Sequence, residues 1–353
     1  MGRMSFSAAK RAAASIVILF SLSLTSSAGA KVQPDYMPTE LIPSGMMVGI
    51  SVKSDGVMVV SLGEVETKSG KVSPAAEAGI LTGDIIKMVG SNEIRSIEDF
   101  KKAIRNCDGD KVSVRVERDG KTLQFAVKPA LGTSGNYEMG VWLRDGIAGM
   151  GTMTFIDPKT GVFGLLGHAV SDVDTKIQVP LRSGVLIEAS IGSIIKGRSG
   201  VPGQIQGSLN MDHVMGKLYA NTSCGVFGIA ENIATKGKPI PVASEKEIKV
   251  GEAVILSNLS GDTIEEYKIY ISRVFLDNGE RSMLITVTDD RLLAKTGGII
   301  QGMSGSPIIQ NGKLVGAVTH VLVNDPTRGY GISIGKMLEK AYMTETTELS
   351  MAA

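Results

Sequence analysis

From Tyr137 onward the chain is a succession of short β-prone runs set between Gly, Asp, Asn and Ser turns, and this repetition restricts the fold more than any other feature. The runs fall at 152–156, 161–166, 185–195, 226–229, 253–256, 267–274, 283–287, 307–309 and 314–318. Many short strands with few long helical patterns imply a barrel or a sandwich. About 200 residues are enough for two small barrels. One helix candidate, 334–342, closes the region. The 43 glycines and the 5% aromatic content suit a loop-rich β protein better than a helical bundle.

The preceding segment, 45–130, has a different texture. Residues 48–52 alternate and 56–60 read as a buried strand. Ser73 can cap a short helix that has Pro74 at its first position and ends at Gly79. Ser96 caps a second helix, with Ile97, Phe100, Ala103 and Ile104 on one face. Val112, Val114 and Val116 alternate, and Asp119-Gly120 is a hairpin turn that returns the chain through 122–127. The stretch 73–86, in which a Pro-Ala-x-x-Ala-Gly helix runs into Gly-Asp-x-Ile, resembles the PDZ domains attached to exported bacterial proteases. A PDZ domain captures an extended peptide as an added strand and holds its terminal carboxylate on backbone N–H groups. The resemblance implies Val48, Gly49 and Ile50 as the receiving strand, with the loop 44–47 as carboxylate holder. The plainer alternative is a PDZ fold that only packs against its own catalytic domain.

Net charge is +1 with both signs interspersed, which gives no electrostatic footprint for nucleic acid. The two cysteines, Cys107 and Cys224, lack CxxC spacing, so a cysteine-based zinc site is excluded and they read as small hydrophobes. No HExxH pair or other metal spacing occurs, and neither metal nor cofactor is expected. At the N-terminus, Arg3, Lys10 and Arg11 precede an apolar stretch, 12–24, and then Ala28-Gly29-Ala30. This is the pattern of a signal peptide or an uncleaved signal anchor. It predicts that the rest of the chain works outside the cytoplasm.

Three histidines, His168, His213 and His320, make a short list for any imidazole-dependent chemistry. Ser304 lies in Gly302-Met303-Ser304-Gly305-Ser306-Pro307. A nucleophilic serine must protrude from a tight turn while neighbouring N–H groups converge on the oxyanion. Gly302 and Gly305 allow that backbone shape, and the N–H groups of Gly302 and Ser304 can form the hole. Alone, a Gly-x-Ser-Gly turn before a strand is an ordinary structural feature. Ser306 is a second nucleophile candidate, His320 reads as structural or substrate-lining, and Lys295 or Lys313 would be needed for a Ser-Lys dyad.

The turn resembles the Gly-Asp-Ser-Gly-Gly-Pro signature of trypsin-like peptidases, with Met303 and Ser306 in place of Asp and Gly. The string Gly167-His168-Ala169-Val170-Ser171-Asp172 precedes it, in the order of that superfamily. More closely, the stretches 149–155, 166–175, 288–289, 295–310 and 316–326 resemble the stage IV sporulation protein B peptidase family. The resemblance implies a mainly β chain: signal segment 1–30, linker 31–44, PDZ domain 45–130, trypsin-like double β-barrel peptidase 137–343 and tail 344–353. It implies His168 as general base, Ser304 as nucleophile and Asp289 as orienting acid, with Asp172 as the competitor for that last role and Asp290 a weaker one. It further implies a serine endopeptidase acting between forespore and mother cell. Such an enzyme cleaves itself and then a regulator of an intramembrane metalloprotease complex, so that a late sigma-factor precursor is processed. The rival from another class is a non-catalytic PDZ adaptor with a degenerate peptidase domain.

Overall fold

A computed structural model describes residues 36–233, 237–277 and 280–351. The export segment expected at 1–30 and the first part of the linker lie outside the described residues. Among those described, no helix is long and apolar enough to cross a bilayer.

A short strand, β1 (Glu40–Pro43), precedes a long one, β2 (Met47–Leu62). The chain then forms a small hairpin, β3 (Val65–Thr67) and β4 (Gly70–Val72), the helix α1 (Pro74–Ala78), β5 (Ile85–Val89) and β6 (Asn92–Glu93). Helix α2 (Ile97–Asn106), β7 (Val112–Arg118), β8 (Lys121–Val127), β9 (Ala130–Leu131) and β10 (Tyr137–Glu138) complete this part. Local signals explain much of it. The Ser96 hydroxyl accepts the Asp99 N–H at 3.1 Å, starting α2, whose Phe100, Ala103 and Ile104 are buried. Asp119 and Gly120 both take left-handed φ, 51° and 71°, as a two-residue hairpin between twisted strands requires. Gly79 ends α1 at φ 95°. Ser73, expected as a side-chain cap, makes no such bond; its N–H donates instead to Glu77.

Next come β11 (Val141–Ile156), β12 (Val162–Leu165), β13 (Leu181–Ile195), β14 (Gln204–Thr222) and β15 (Gly225–Ala230). Strands β2, β11, β12, β15, β14 and β13 pair in that order, and β13 returns to β2, so the six close into a barrel. Val48, Ile50, Val52, Met153, Phe163, Leu165 and Leu186 fill its core. After β16 (Ile240–Pro241), a second closed barrel is built from β17 (Gly251–Ser260), β18 (Thr263–Asp277), β19 (Glu280–Val287), β20 (Pro307–Gln310), β21 (Lys313–Leu322) and β22 (Asp325–Ser333). The helix α3 (Asp290–Thr296) separates β19 from β20. The final helix α4 (Ile334–Met351) runs beyond the end expected near Tyr342 and packs Ile334, Met337, Leu338 and Ala341 against Phe155, Phe227 and Leu314.

The PDZ unit and the first barrel share two strands. The first half of β2 pairs with Gly146–Thr152 of β11 inside the barrel, and its second half pairs with Val141–Arg144, beside β5, β7 and β8. A register shift between Arg144 and Gly146 marks the crossing. The PDZ core, with Val57, Val59, Ile80, Ile86, Phe100 and Val114, is thus an insertion into the hairpin that opens the first barrel. This corrects one expectation. Val48, Gly49 and Ile50 are flanked by Gly151, Met150 and Gly149 on one side and by Glu188, Ile187 and Leu186 on the other. With both edges filled they cannot receive a peptide strand. In the loop ahead of them, the Ser44, Gly45 and Met46 N–H groups are already donated to Thr154, Met153 and the Ser44 hydroxyl.

Candidate active site

The loop that carries Ser304 is fixed from two sides. Ile299, Ile300 and Met303 are buried in the second-barrel core, where Met303 takes the place an Asp has in the trypsin-like signature. Ile300 accepts the Met303 N–H at 3.1 Å and Met303 accepts the Ser306 N–H at 3.0 Å, which tightens the turn. Gly305 donates to Val318 of β21. From the first barrel, β11 grips the same loop. The Thr152 N–H donates to the Ser304 carbonyl at 2.9 Å, and the Thr152 and Thr154 hydroxyls donate to Gly302 and Gly305 carbonyls at 2.7 and 2.8 Å. Gly305, at φ 97°, lies so close that a Cβ would stand 1.9 Å from the Thr152 carbonyl oxygen and 2.6 Å from the Leu166 nitrogen. Only glycine fits there.

Two features of the turn suit acyl transfer. The N–H groups of Gly302 and Ser304 donate to no protein acceptor among the described residues. Such paired free donors are what an oxyanion hole requires. The Ser304 side chain, half-buried, donates its hydroxyl to the Thr319 carbonyl at 2.6 Å. Ser306 is buried, and its hydroxyl has no partner among the described residues.

His168 follows β12 through two successive left-handed residues, Leu166 and Gly167, each at φ 69°, which turn it out of the first barrel toward β21. Its Nδ1 faces the Ala169 carbonyl at 2.8 Å. With the proton on Nδ1, the Nε2 lone pair is left to act as base. Burial pushes its pKa down to about 4, and the nearby His320 adds to the effect. The His168 and His320 rings stack with centroids 4.6 Å apart and planes tilted by 33°. Both line a cavity of about 350 Å³ with Ser223, Phe275, Thr319 and Tyr330.

Neither expected acid is bonded to His168. Asp289 caps α3: its carboxylate accepts the Arg291 N–H at 3.0 Å, two guanidinium contacts from Arg291 and the Lys268 N–H at 3.1 Å. The Arg291 guanidinium holds its pKa down at about 2. Asp289 therefore serves the helix start, and the place assigned to it at the His168 imidazole is a second correction. Asp172 is also buried. One of its oxygens accepts the N–H groups of Asp174 and Thr175 and the Thr175 hydroxyl, and the other faces Arg144 of β11. Burial would push Asp172 up, but these hydrogen bonds together hold its pKa below the usual carboxylate range.

The structure thus gathers Ser304, His168, Thr319 and His320, and leaves Asp289 and Asp172 in other duties. Lys313 is paired with Glu247 and His213 with Glu188. Arg144, Thr152 and Thr154 were not singled out from the sequence, where the threonines read as ordinary strand residues. Asp289-Asp290 ahead of Leu292-Leu293 and Gly297 was a legible helix signal.

A family model for the PDZ domain matches residues 44–128. Among solved structures, the PDZ domain of an SdrC-like protein of Listeria monocytogenes is 28% identical, covering 25% of this chain and 87% of that one, with a TM-score of 0.21. The active form of the Rv3671c protease of M. tuberculosis is 15% identical, covering 54% of this chain and 70% of that one, with a TM-score of 0.32. Among curated proteins, one of Clostridium perfringens, provisionally named a zinc metalloprotease, is 32% identical over 87 residues, 24% of this chain. A second, from Staphylococcus aureus and named in the same way, is 39% identical over 56 residues, 16% of this chain. The aligned segments span only 26% and 13% of those two relatives. A model described as SpoIVB peptidase S55 matches residues 135–338, more than half the chain. Following the PDZ unit and the two barrels, that match shows that this chain belongs to the SpoIVB peptidase S55 family.

Proposed function

We propose that Ser304 is the nucleophile, His168 its general base and then general acid, and the N–H groups of Gly302 and Ser304 the oxyanion hole. The observation that carries this reading is the paired, undonated N–H groups on a turn whose serine hydroxyl lies within a β21 contact of the His168–His320 stack. To react, the Ser304 hydroxyl leaves the Thr319 carbonyl by rotation of its side chain and passes its proton to His168 Nε2. The oxygen attacks the peptide carbonyl, the leaving amine takes the proton back, and water then hydrolyses the acyl-enzyme by the same route.

The reading takes proteins as substrates, including this chain itself. Family membership supports extending it to intercompartmental sporulation signalling. There the enzyme, exported to the space between forespore and mother-cell membranes, cleaves a regulator of an intramembrane metalloprotease complex. For its PDZ unit the reading moves the peptide site to another edge. Val141–Leu143 of β11 pair with β2 on one side only, and a groove of about 680 Å³ separates them from Ile97, Phe100 and Ile104 of α2. An apolar peptide adds there as a strand, next to the turn at Gly140 (φ 71°).

A fluorophosphonate probe acylates an activated serine irreversibly. The unmodified chain should be labelled and Ser304→Ala should not, while both keep the same far-UV circular dichroism and the variant loses self-processing. Equal labelling of both, or normal self-processing by the variant, would remove Ser304 from the mechanism and favour the non-catalytic adaptor.

A further inference from the structure

Two consecutive residues of β21 touch the two reacting side chains. Thr319 accepts the Ser304 hydroxyl through its carbonyl, and His320 lays its ring against that of His168 at 4.6 Å. In a serine peptidase triad a carboxylate fixes the tautomer and the plane of the imidazole. In this chain those tasks are divided. The Ala169 carbonyl at Nδ1 fixes the tautomer. A carbonyl one residue away on the same segment does not by itself set the ring plane, and no carboxylate among the described residues is bonded to His168. The other contact on the imidazole is the His320 ring, tilted by 33° to it. His320 is exposed on its outer side, so its position owes little to core packing. It is carried by β21, which beyond Ala317 pairs only with β22, across a register shift between Val318 and Val321.

We propose that His320 is a positioning residue for His168, holding the imidazole plane by ring stacking and doing the work that the family resemblance would give to Asp289. The inference rests on the reading of His168 and Ser304 given above. Through this contact the second barrel, which carries the nucleophile, also sets the orientation of a base carried by the first barrel. Relative movement of the barrels therefore changes the His168 ring and the Ser304 loop together.

The test uses the full chain and its Ser304-dependent hydrolysis of p-nitrophenyl butyrate, defined as the rate above that of Ser304→Ala. His320→Ala should lower kcat by about tenfold to a hundredfold while KM stays within about twofold, because orientation and not binding is lost. His320→Phe keeps a flat ring and should recover kcat to within about threefold of the unmodified chain, whereas His320→Leu, of similar bulk but not flat, should not. Asp289→Asn should leave kcat within about threefold. Circular dichroism and melting temperature confirm that each variant is folded. The inference is overturned if folded His320→Ala retains full kcat, if His320→Phe is as slow as His320→Ala, or if Asp289→Asn shows the larger loss. Absence of any Ser304-dependent turnover in the unmodified chain is a separate result: it overturns the catalytic reading, and this inference with it.

Discussion

Arg144→Met isolates the contact through which the PDZ half of β11 holds the loop after His168. The Asp172 side chain is 0% exposed and that of Arg144 32% exposed. The three donors from Asp174 and Thr175 all reach one Asp172 oxygen, so removing the guanidinium leaves the other oxygen facing no donor. Stripping one partner from a buried ion pair costs about 3–5 kcal/mol, and the partial exposure of Arg144 reduces this to roughly 2–4 kcal/mol. Thermal or urea unfolding at pH 7 of the single variants and of Arg144→Met with Asp172→Asn closes a double-mutant cycle. In the Asp172→Asn background, where no charge is stranded, Arg144→Met should cost less than about 1 kcal/mol. Acidity supplies a second check. In the native chain Asp172 is depressed, so its contribution is present above its ordinary pKa and is lost as pH falls through the lower folded value. In Arg144→Met one of the lowering hydrogen bonds is lost and the pKa is less depressed, so protonation costs that protein less and the gap between the two proteins narrows on acidification. An equal loss in both backgrounds, or a gap that widens on acidification, would refute the assignment of Arg144 as the partner of Asp172.

Because burial brings the His168 pKa down to about 4, the acid limb of kcat/KM should have its midpoint well below 6.5; a midpoint at 6.5 would place the imidazole in water. For stability, the unfolded chain takes up this proton first. His168 therefore costs nothing above pH 6.5 and up to about 3 kcal/mol as pH falls toward 4, an effect that His168→Gln should remove. Trp142 is the only tryptophan of the chain and is 68% exposed at the open β11 edge. Binding of a peptide with an apolar C-terminus should therefore shift its emission to shorter wavelength, and Ile97→Asp should abolish the shift. An unchanged shift in that variant would move the peptide site elsewhere.

Much of the site was legible because its signals are local. Gly302 to Pro307 declares a tight turn, the Ser96 cap and Asp119-Gly120 declare a helix start and a hairpin, and His168 stands just beyond a strand. Asp289 was ambiguous for a physical reason. A carboxylate followed by an apolar helical pattern satisfies helix N–H groups as readily as an imidazole, and only the position of His168 decides which. The alternation of Val48, Ile50 and Val52 had the same limit: it shows one buried face and says nothing about which strands lie at the edges.

The sequence alone determined the mainly β character, the PDZ helices and the tight turn at Ser304, since caps, turns and strand periodicity act over a few residues. The tertiary structure decided the rest: that β2 and β11 serve both PDZ unit and barrel, that Thr152 and Thr154 hold a loop about 150 residues away, and that His320 and not Asp289 meets His168. A strand's period of two assigns faces, whereas its neighbours are chosen only when barrel closure brings remote segments together.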